Sequence, residues 1–257
     1  MVADAPDLQP SDVVLEVGAG LGQLTGLLAE RAGRVVTVEV DHGLLGVLGD
    51  LLAPLDTVTL VGADVLASKH TLNPAVVKAL REAAAAIPGA RLRVVANPPY
   101  SISTPLVLAC LDADPPFFDL HLTLQRELAE RLSASPGTKA YGAATVSVQA
   151  RAEVRILHAV PASAFWPRPS VDSVLLKIRP DAALRGRVRD RDAFRRTVEA
   201  LFRMRRKTVR NGLLTIAPGD ACDRLLADLR LDPTLRPEAL PVEAFIAIAD
   251  ALRETTP

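Results

Sequence analysis

Short apolar runs alternate with helically spaced apolar positions through the first half of the chain. Val13 to Val17, apolar except for Glu16, predicts a strand; Leu24, Leu27 and Leu28 at i, i+3 and i+4 mark the helix after it; Val35 to Val40 predicts a second strand. Val58 to Val61, Leu92 to Ala96 and Leu120 to Leu124 predict three more, with helices over about 42–53, 74–86, 103–111 and 125–134. This alternation predicts an α/β fold, a parallel sheet with helices on both faces. A helical stretch after Gly142 leads into two further strand-like runs, Ala152 to Val160 and Ser173 to Ile178, which would complete one sheet edge with an antiparallel strand. Arg179 to Asp192, opened by Pro180 and rich in charge, reads as a linker. Beyond it Phe194, Val198, Leu201 and Phe202 share one helical face, with breaks at Pro218, Pro233 and Pro241. The expected organisation is one domain over 1–180 and a small helical one over 181–257.

Composition narrows the class without naming a function. The 257 residues suffice for a full core, and 49% hydrophobic with 23% charged residues is the balance of a globular protein. No apolar run reaches the roughly 18 residues of a membrane span, and the acidic start lacks a signal-peptide pattern, so the expected compartment is the cytoplasm, with no membrane partner. Cys110 and Cys222 form no CxxC, and His42, His70, His121 and His158 have no ligand-like spacing, so no metal is expected. Net charge is zero, yet it is unevenly spread. Residues 1–100 carry seven basic against eleven acidic side chains; residues 185–210 carry eleven basic against three acidic, a surplus of eight. Such a run is either a solvated helix face or the electrostatic footprint of phosphate binding.

Candidate chemistry gathers at strand ends. The first strand runs into Gly18-Ala19-Gly20-Leu21-Gly22, where glycines allow a sharp turn and close approach of backbone to a ligand. The spacing is GxGxG, not the GxGxxG of a pyrophosphate cradle, which favours a nucleoside ligand. Glu39 ends the second strand, 21 residues beyond Gly18, where a carboxylate can accept ribose hydroxyls in either a methyltransferase or a dehydrogenase. Asp64, after the third strand, could accept from an adenine amine or cap the next turn. Glu16 is costly to bury unless paired, which supports a polar site at that end of the sheet. The fourth strand ends in Asn97-Pro98-Pro99-Tyr100: an amide acceptor, a free carbonyl before a proline, two stiffening rings and a flat aromatic face. Such a loop can hold an exocyclic amine. All four signals lie at the carboxyl edge of one sheet, where open α/β folds bind ligands.

Five motifs in order extend this pattern over nearly the whole chain: Asn97 to Pro105 (NPPYSISTP), Leu124 to Arg131 (LQRELAER), Lys139 to Gly142 (KAYG), Phe165 to Ser173 (FWPRPSVDS) and Arg205 to Asn211 (RRKTVRN). Together they resemble the KsgA-type ribosomal RNA adenine dimethyltransferases. That resemblance implies a Rossmann-like S-adenosylmethionine-dependent methyltransferase sheet followed by a small helical RNA-binding domain. It implies dimethylation of the 6-amino groups of two adjacent adenosines in the 3′-terminal hairpin of small-subunit (16S) ribosomal RNA, within an immature small ribosomal subunit during ribosome biogenesis. By the same carry-over Gly18, Glu39, Asp64 and Asn97 would contact S-adenosyl-L-methionine, with Gly20 and Gly22 shaping the turn; Glu16 joins this cofactor-binding set on the burial argument above. Asn97, Pro98, Tyr100 and Phe165 would hold the flipped adenine, and Arg203, Arg205, Arg206, Lys207 and Arg210 would contact RNA phosphates.

Two departures accompany the resemblance. The basic segment containing Gln-Asn-Phe-Leu that usually precedes the first strand is not found before Val13, so the expectation is either a truncated chain or a cofactor pocket with an incomplete wall. Position 98 is Pro where that family commonly has Leu; because it would act through its backbone carbonyl, the exchange should be tolerated. Two alternatives share parts of the pattern: a large-subunit methyltransferase of the macrolide-resistance type, and a ribosome-assembly factor with weak catalysis. A nicotinamide dehydrogenase would leave Asn97 to Tyr100 without work.

Overall fold

The computed structural model describes residues 2–164 and 171–254. In chain order the elements are β1 (Asp12–Val17), α1 (Gln23–Ala29), β2 (Arg34–Glu39), α2 (His42–Leu52), β3 (Val58–Gly62), β4 (Leu66–Ser68), β5 (Thr71–Leu72), α3 (Pro74–Ala85), β6 (Arg91–Ala96), α4 (Ser103–Asp112), β7 (Asp119–Gln125), α5 (Arg126–Leu132), α6 (Ala143–Gln149), β8 (Ala152–Val160), β9 (Ser173–Pro180), α7 (Ala182–Arg187), α8 (Arg191–Arg203), α9 (Val209–Leu213), α10 (Gly219–Asp228) and α11 (Val242–Glu254). Two features escape the apolar pattern. The β4–β5 hairpin is too short to leave a period, and α7 lies inside the expected linker because the Asp181 side chain accepts from the Ala183 and Leu184 N–H groups and starts a turn.

Seven strands form one sheet in the order β3-β2-β1-β6-β7-β9-β8. The pairs β2–β3, β1–β2, β1–β6 and β6–β7 are parallel, and β7–β9 is antiparallel. The expected antiparallel strand is therefore present, placed one position inside the edge. Every residue of β1 is buried, as a central strand covered on both faces requires. Local chemistry starts the flanking helices: Asp41 accepts from Gly43 N–H (2.7 Å) ahead of α2, and Asn73 accepts from Ala75 N–H (2.9 Å) ahead of Pro74, whose missing donor costs nothing in a first turn.

At the amino ends of the strands, register assembles a buried ionic network. Asp12 stands beside Arg91 and Arg93 beside Asp119 across the parallel pairs. Arg93 donates to both Asp119 oxygens (2.8 and 2.7 Å) and to Asp12 (3.1 Å), and Arg91 holds Asp12 through two further bonds (2.8 and 3.2 Å). His121 adds a bond to Asp119 at 3.1 Å. Burial by itself would push the Asp119 carboxyl up, but the bonds and charges of Arg93 and His121 hold it well below the usual carboxylate range.

The chain divides into two compact units, Met1–Ala129 with Val154–Pro180, and Glu130–Glu153 with Asp181–Pro257. The helical unit joins residues 130–153 to the stretch that begins at Asp181. The reason is packing: Tyr141, Val146 and Ala150 belong to the same core as Phe194, Val198, Leu201, Leu213, Leu225, Phe245 and Ile248. Within it Phe202 stacks on Phe245 with ring centroids 5.5 Å apart, and Tyr141 meets Phe202 at 6.3 Å. The KAYG motif therefore supplies a core aromatic to the helical unit. Among the described residues no helix is long and apolar enough to cross a membrane.

Candidate active site

β1 ends at Val17, and Gly18, Gly20 and Gly22 all adopt positive φ (79°, 58° and 74°), conformations that would strain a residue bearing a Cβ. The turn is anchored by Gly18 N–H donating to Val38 O (2.9 Å), and α1 starts directly after Gly22. Glu39, at the end of β2, closes the turn from the neighbouring strand. Its Oε2 accepts from Gly20 N–H (3.0 Å) and its Oε1 from Val40 and Asp41 N–H (2.9 and 3.0 Å). Among the described residues two donors fill the lone pairs of Oε1, whereas Oε2 keeps one unused. A first ribose hydroxyl can bond Oε2 directly; a second on Oε1 requires a backbone donor to yield.

Glu16 lies beneath this turn, 1% exposed. Register places Thr37 beside it on β2, and Oε2 accepts from both Thr37 (2.7 Å) and Thr25 of α1 (2.6 Å). Oε1 is buried and accepts no bond among the described residues. Burial raises the Glu16 carboxyl to about 7 against the opposing pull of the two hydroxyls, and the charge of Glu39 adds to the rise.

Asp64 is exposed after β3, and one of its oxygens, Oδ1, accepts from Leu66 N–H (2.8 Å). Turn cap and ligand acceptor are therefore compatible roles, since Oδ2 remains available. β6 delivers Asn97 to the same edge, with an exposed side chain that makes no hydrogen bond among the described residues. The Pro99 carbonyl accepts from Ile102 N–H (3.1 Å) and Ser103 Oγ (3.2 Å), opening the 3-10 turn Tyr100–Ile102, while the Pro98 carbonyl accepts nothing among the described residues. The Tyr100 hydroxyl is tied to buried Ser173 Oγ at 2.8 Å, which fixes the ring from its far end. A Cβ on Gly18 would lie 3.4 Å from Pro99 Cδ and 3.8 Å from the Asn97 carbonyl oxygen, so the glycine turn and the amine-holding loop are immediate neighbours. Above Gly20 the space is open, with nothing within 4 Å of a Cβ built there. The open turn, the spare Glu39 lone pair and the free Asn97 side chain fit a cationic nucleoside such as S-adenosylmethionine.

The five basic candidates lie in the helical unit. Arg203 ends α8, and Arg205, Arg206 and Lys207 follow in the turn before α9, all four exposed. Arg205 donates to Lys139 O (2.7 Å), and Arg210 makes two bonds to Asp223 (2.6 and 2.8 Å). Arg203, Arg206 and Lys207 have no acidic partner among the described residues, so they are the cations available to a phosphate. Phe165 lies outside the described residues. Three polar residues had no role in the sequence reading: Thr25, Thr37 and Ser173. Thr37 carried a signal, being the polar interruption of an apolar strand beside an equally interrupted β1.

A family model described as "Ribosomal RNA adenine dimethylase" matches residues 1–254. The chain is 37% identical over 255 residues to the "Ribosomal RNA small subunit methyltransferase A" of Lactococcus lactis subsp. lactis, covering 98% of this chain and 84% of that one. It is 36% identical over 256 residues to the protein of the same name from Geobacillus kaustophilus, covering 98% and 85%. Among solved structures, a dimethyladenosine transferase from Plasmodium falciparum superposes with a TM-score of 0.76 at 23% identity, covering 96% of this chain and 92% of that one. The 23S rRNA methyltransferase ErmE superposes with a TM-score of 0.66 at 24% identity, covering 98% and 95%. These two likenesses concern the fold.

Proposed function

Because the chain belongs to the ribosomal RNA adenine dimethylase family, we infer from its site that it dimethylates adenosine in small-subunit ribosomal RNA through the loop Asn97 to Tyr100. The small-subunit assignment, against the large-subunit alternative, is supported by relatives at 36–37% identity over 98% of the chain. The substrate we propose is the pair of adjacent adenosines in the 3′-terminal hairpin, presented within an immature small subunit in the cytoplasm. One observation carries the reading of the site: an Asn97 side chain and a Pro98 carbonyl, both without a hydrogen bond among the described residues, stand beside a glycine turn that leaves room for a ligand.

When bound, S-adenosylmethionine supplies an activated methyl group on a sulfonium. Gly18, Gly20, Glu39 and Asp64 would hold it, with Gly22 setting the entry of α1. The chain's own work is on the amine. Adenine's 6-amino nitrogen is a poor nucleophile because its lone pair is delocalised into the ring. Asn97 Oδ1 and the Pro98 carbonyl oxygen each accept one of its N–H groups, which favours a pyramidal nitrogen and frees the lone pair. Orientation supplies much of the acceleration. The proton leaves after methylation, when nitrogen is cationic, so no strong base is required. Tyr100, held at its hydroxyl by Ser173, offers a face that stacks on the base and stabilises that charge. Phe165 would stack on the extruded base from the other motif.

Incubation of immature small subunits with this chain and S-adenosylmethionine should yield two adjacent dimethyladenosines by mass spectrometry of the RNA. Modification confined to large-subunit RNA, or none, would refute the reading. For RNA binding, removing the charges of Arg203, Arg206 and Lys207 together should lower affinity on the order of tenfold or more at moderate salt and reduce the slope of log K against log salt by about 2–3. Removing Arg210 alone should do less, because Asp223 already engages it. Filter-binding titrations at several salt concentrations measure both effects.

A further inference from the structure

Glu16 is a carboxyl that the amine-holding reaction does not use. Its Oε2 is held by two threonine hydroxyls, Oε1 is buried without a partner, and the residue lies two positions before the glycine turn. Glu39, by contrast, has three backbone N–H donors on its two oxygens, a setting suited to negative charge. Two acids of unequal environment thus stand by the glycine turn, Glu39 bonded to it and Glu16 buried two residues before it.

We propose that Glu16 is a positioning residue that makes methyl-donor binding proton-linked, giving up its proton when the cationic cofactor seats on the glycine turn and regaining it when only the neutral thioether product remains. This rests on reading Gly18 to Gly22 as the methyl-donor site. The physical cause is simple. A buried carboxyl lacking one hydrogen bond favours its neutral form, and a nearby positive charge reverses that preference. Methyl transfer turns the sulfonium into an uncharged sulfur, so the reaction itself removes the charge that holds the carboxylate ionised. Weaker retention of the product follows, and with it easier exchange for the second methyl donor that dimethylation of one nitrogen requires.

Other charges do not substitute for Glu16. β2 contributes Thr37 and Glu39, and α1 contributes Thr25, its neighbour Glu30 being exposed. β6 pairs Val94 with Leu15 and contributes apolar Val95, which shares a core with Val14, on the Glu16 side, while Asp12 and Arg93 are engaged towards the opposite strand ends. The charges of α3, which also packs on β1, are exposed: Lys78 pairs with Glu82 and Arg81 with Asp114.

Titration calorimetry in buffers of different ionisation enthalpy reads proton release directly. With the Glu16 carboxyl at about 7, binding S-adenosylmethionine at pH 7 should release about half a proton more in the native chain than in Glu16→Gln. The amide keeps an acceptor for the threonines, and the ligand's own ammonium titration is common to both proteins and cancels. For S-adenosylhomocysteine the difference should be clearly smaller. Equal release by both proteins, or an equal difference for both ligands, overturns the proposal. Should the variant fail to fold, the native chain alone decides. Corrected for each ligand's own ammonium titration, its preference for S-adenosylmethionine over S-adenosylhomocysteine should rise several-fold, up to about tenfold, between pH 6 and 8, and a flat corrected preference overturns the proposal. Failure to bind either nucleoside at any pH would instead refute the methyl-donor site itself.

Discussion

Asn97→Ala should lower the rate of methyl transfer on the order of 10²–10³-fold, the scale set by losing orientation and one preorganised acceptor at the reacting atom. The side chain is exposed and has no partner in the described structure, so its removal should leave stability within about 0.5 kcal/mol. Affinity for RNA should be nearly unchanged if, as proposed, phosphate contacts in the helical unit supply most of it. Cofactor affinity should fall modestly. Single-turnover transfer, filter binding and thermal unfolding on the same preparations separate these effects. Comparable losses of RNA affinity, cofactor affinity and rate would mean that Asn97 shapes the pocket without holding the amine. A substitution at position 98 tests the other half of the hold: Pro98→Leu keeps the carbonyl and should retain most of the activity.

The largest effect on stability is expected at the opposite end of the same strand. Arg93→Ala should destabilise the sheet unit by up to about 3–5 kcal/mol, since it leaves Asp119 to His121 and the more distant Lys177 and weakens the hold on Asp12, both carboxylates being fully buried. Denaturant unfolding followed by circular dichroism measures it, and a loss under 1 kcal/mol would mean that water reaches the carboxylates. The pH dependence carries a defined sign. Asp119 is held below its unfolded value, so its contribution is complete above about pH 4 and is lost as pH falls through the depressed folded value. Arg93→Ala should reduce this acid sensitivity, because the Arg93 hydrogen bond is the largest single cause of the depression, while His121 retains its share.

The sheet and the polar residues at its carboxyl edge were legible in the sequence because a parallel strand buried on both faces must be a nearly pure apolar run, and polar residues stand at the ends of these runs. Glu39 and Asn97 were visible in that way. The helix α7 and the β4–β5 hairpin were not, since one is set by a single aspartate cap and the other by two short strands with no periodicity. Tyr141 belongs to a sequence motif, but its place in the helical core depends on packing between segments far apart in sequence. Engagement was equally hidden. Nothing local says that Asp223 occupies Arg210, that Lys139 O occupies Arg205, or that Ser173 fixes Tyr100, because each pairing is made by the fold.

β1 and β6 each carry a member of the ionic network near one end and a member of the ligand edge at or just past the other: Asp12 and Gly18, Arg93 and Asn97. Six residues in each strand therefore act as a ruler. A substitution touches one end, whereas a single-residue deletion in either strand inverts the facing of every residue beyond it and shortens the span between the two ends. Sequence drift in this sheet should accordingly proceed by exchange of side chains and leave the lengths of β1 and β6 fixed, with insertions confined to the connections between strands.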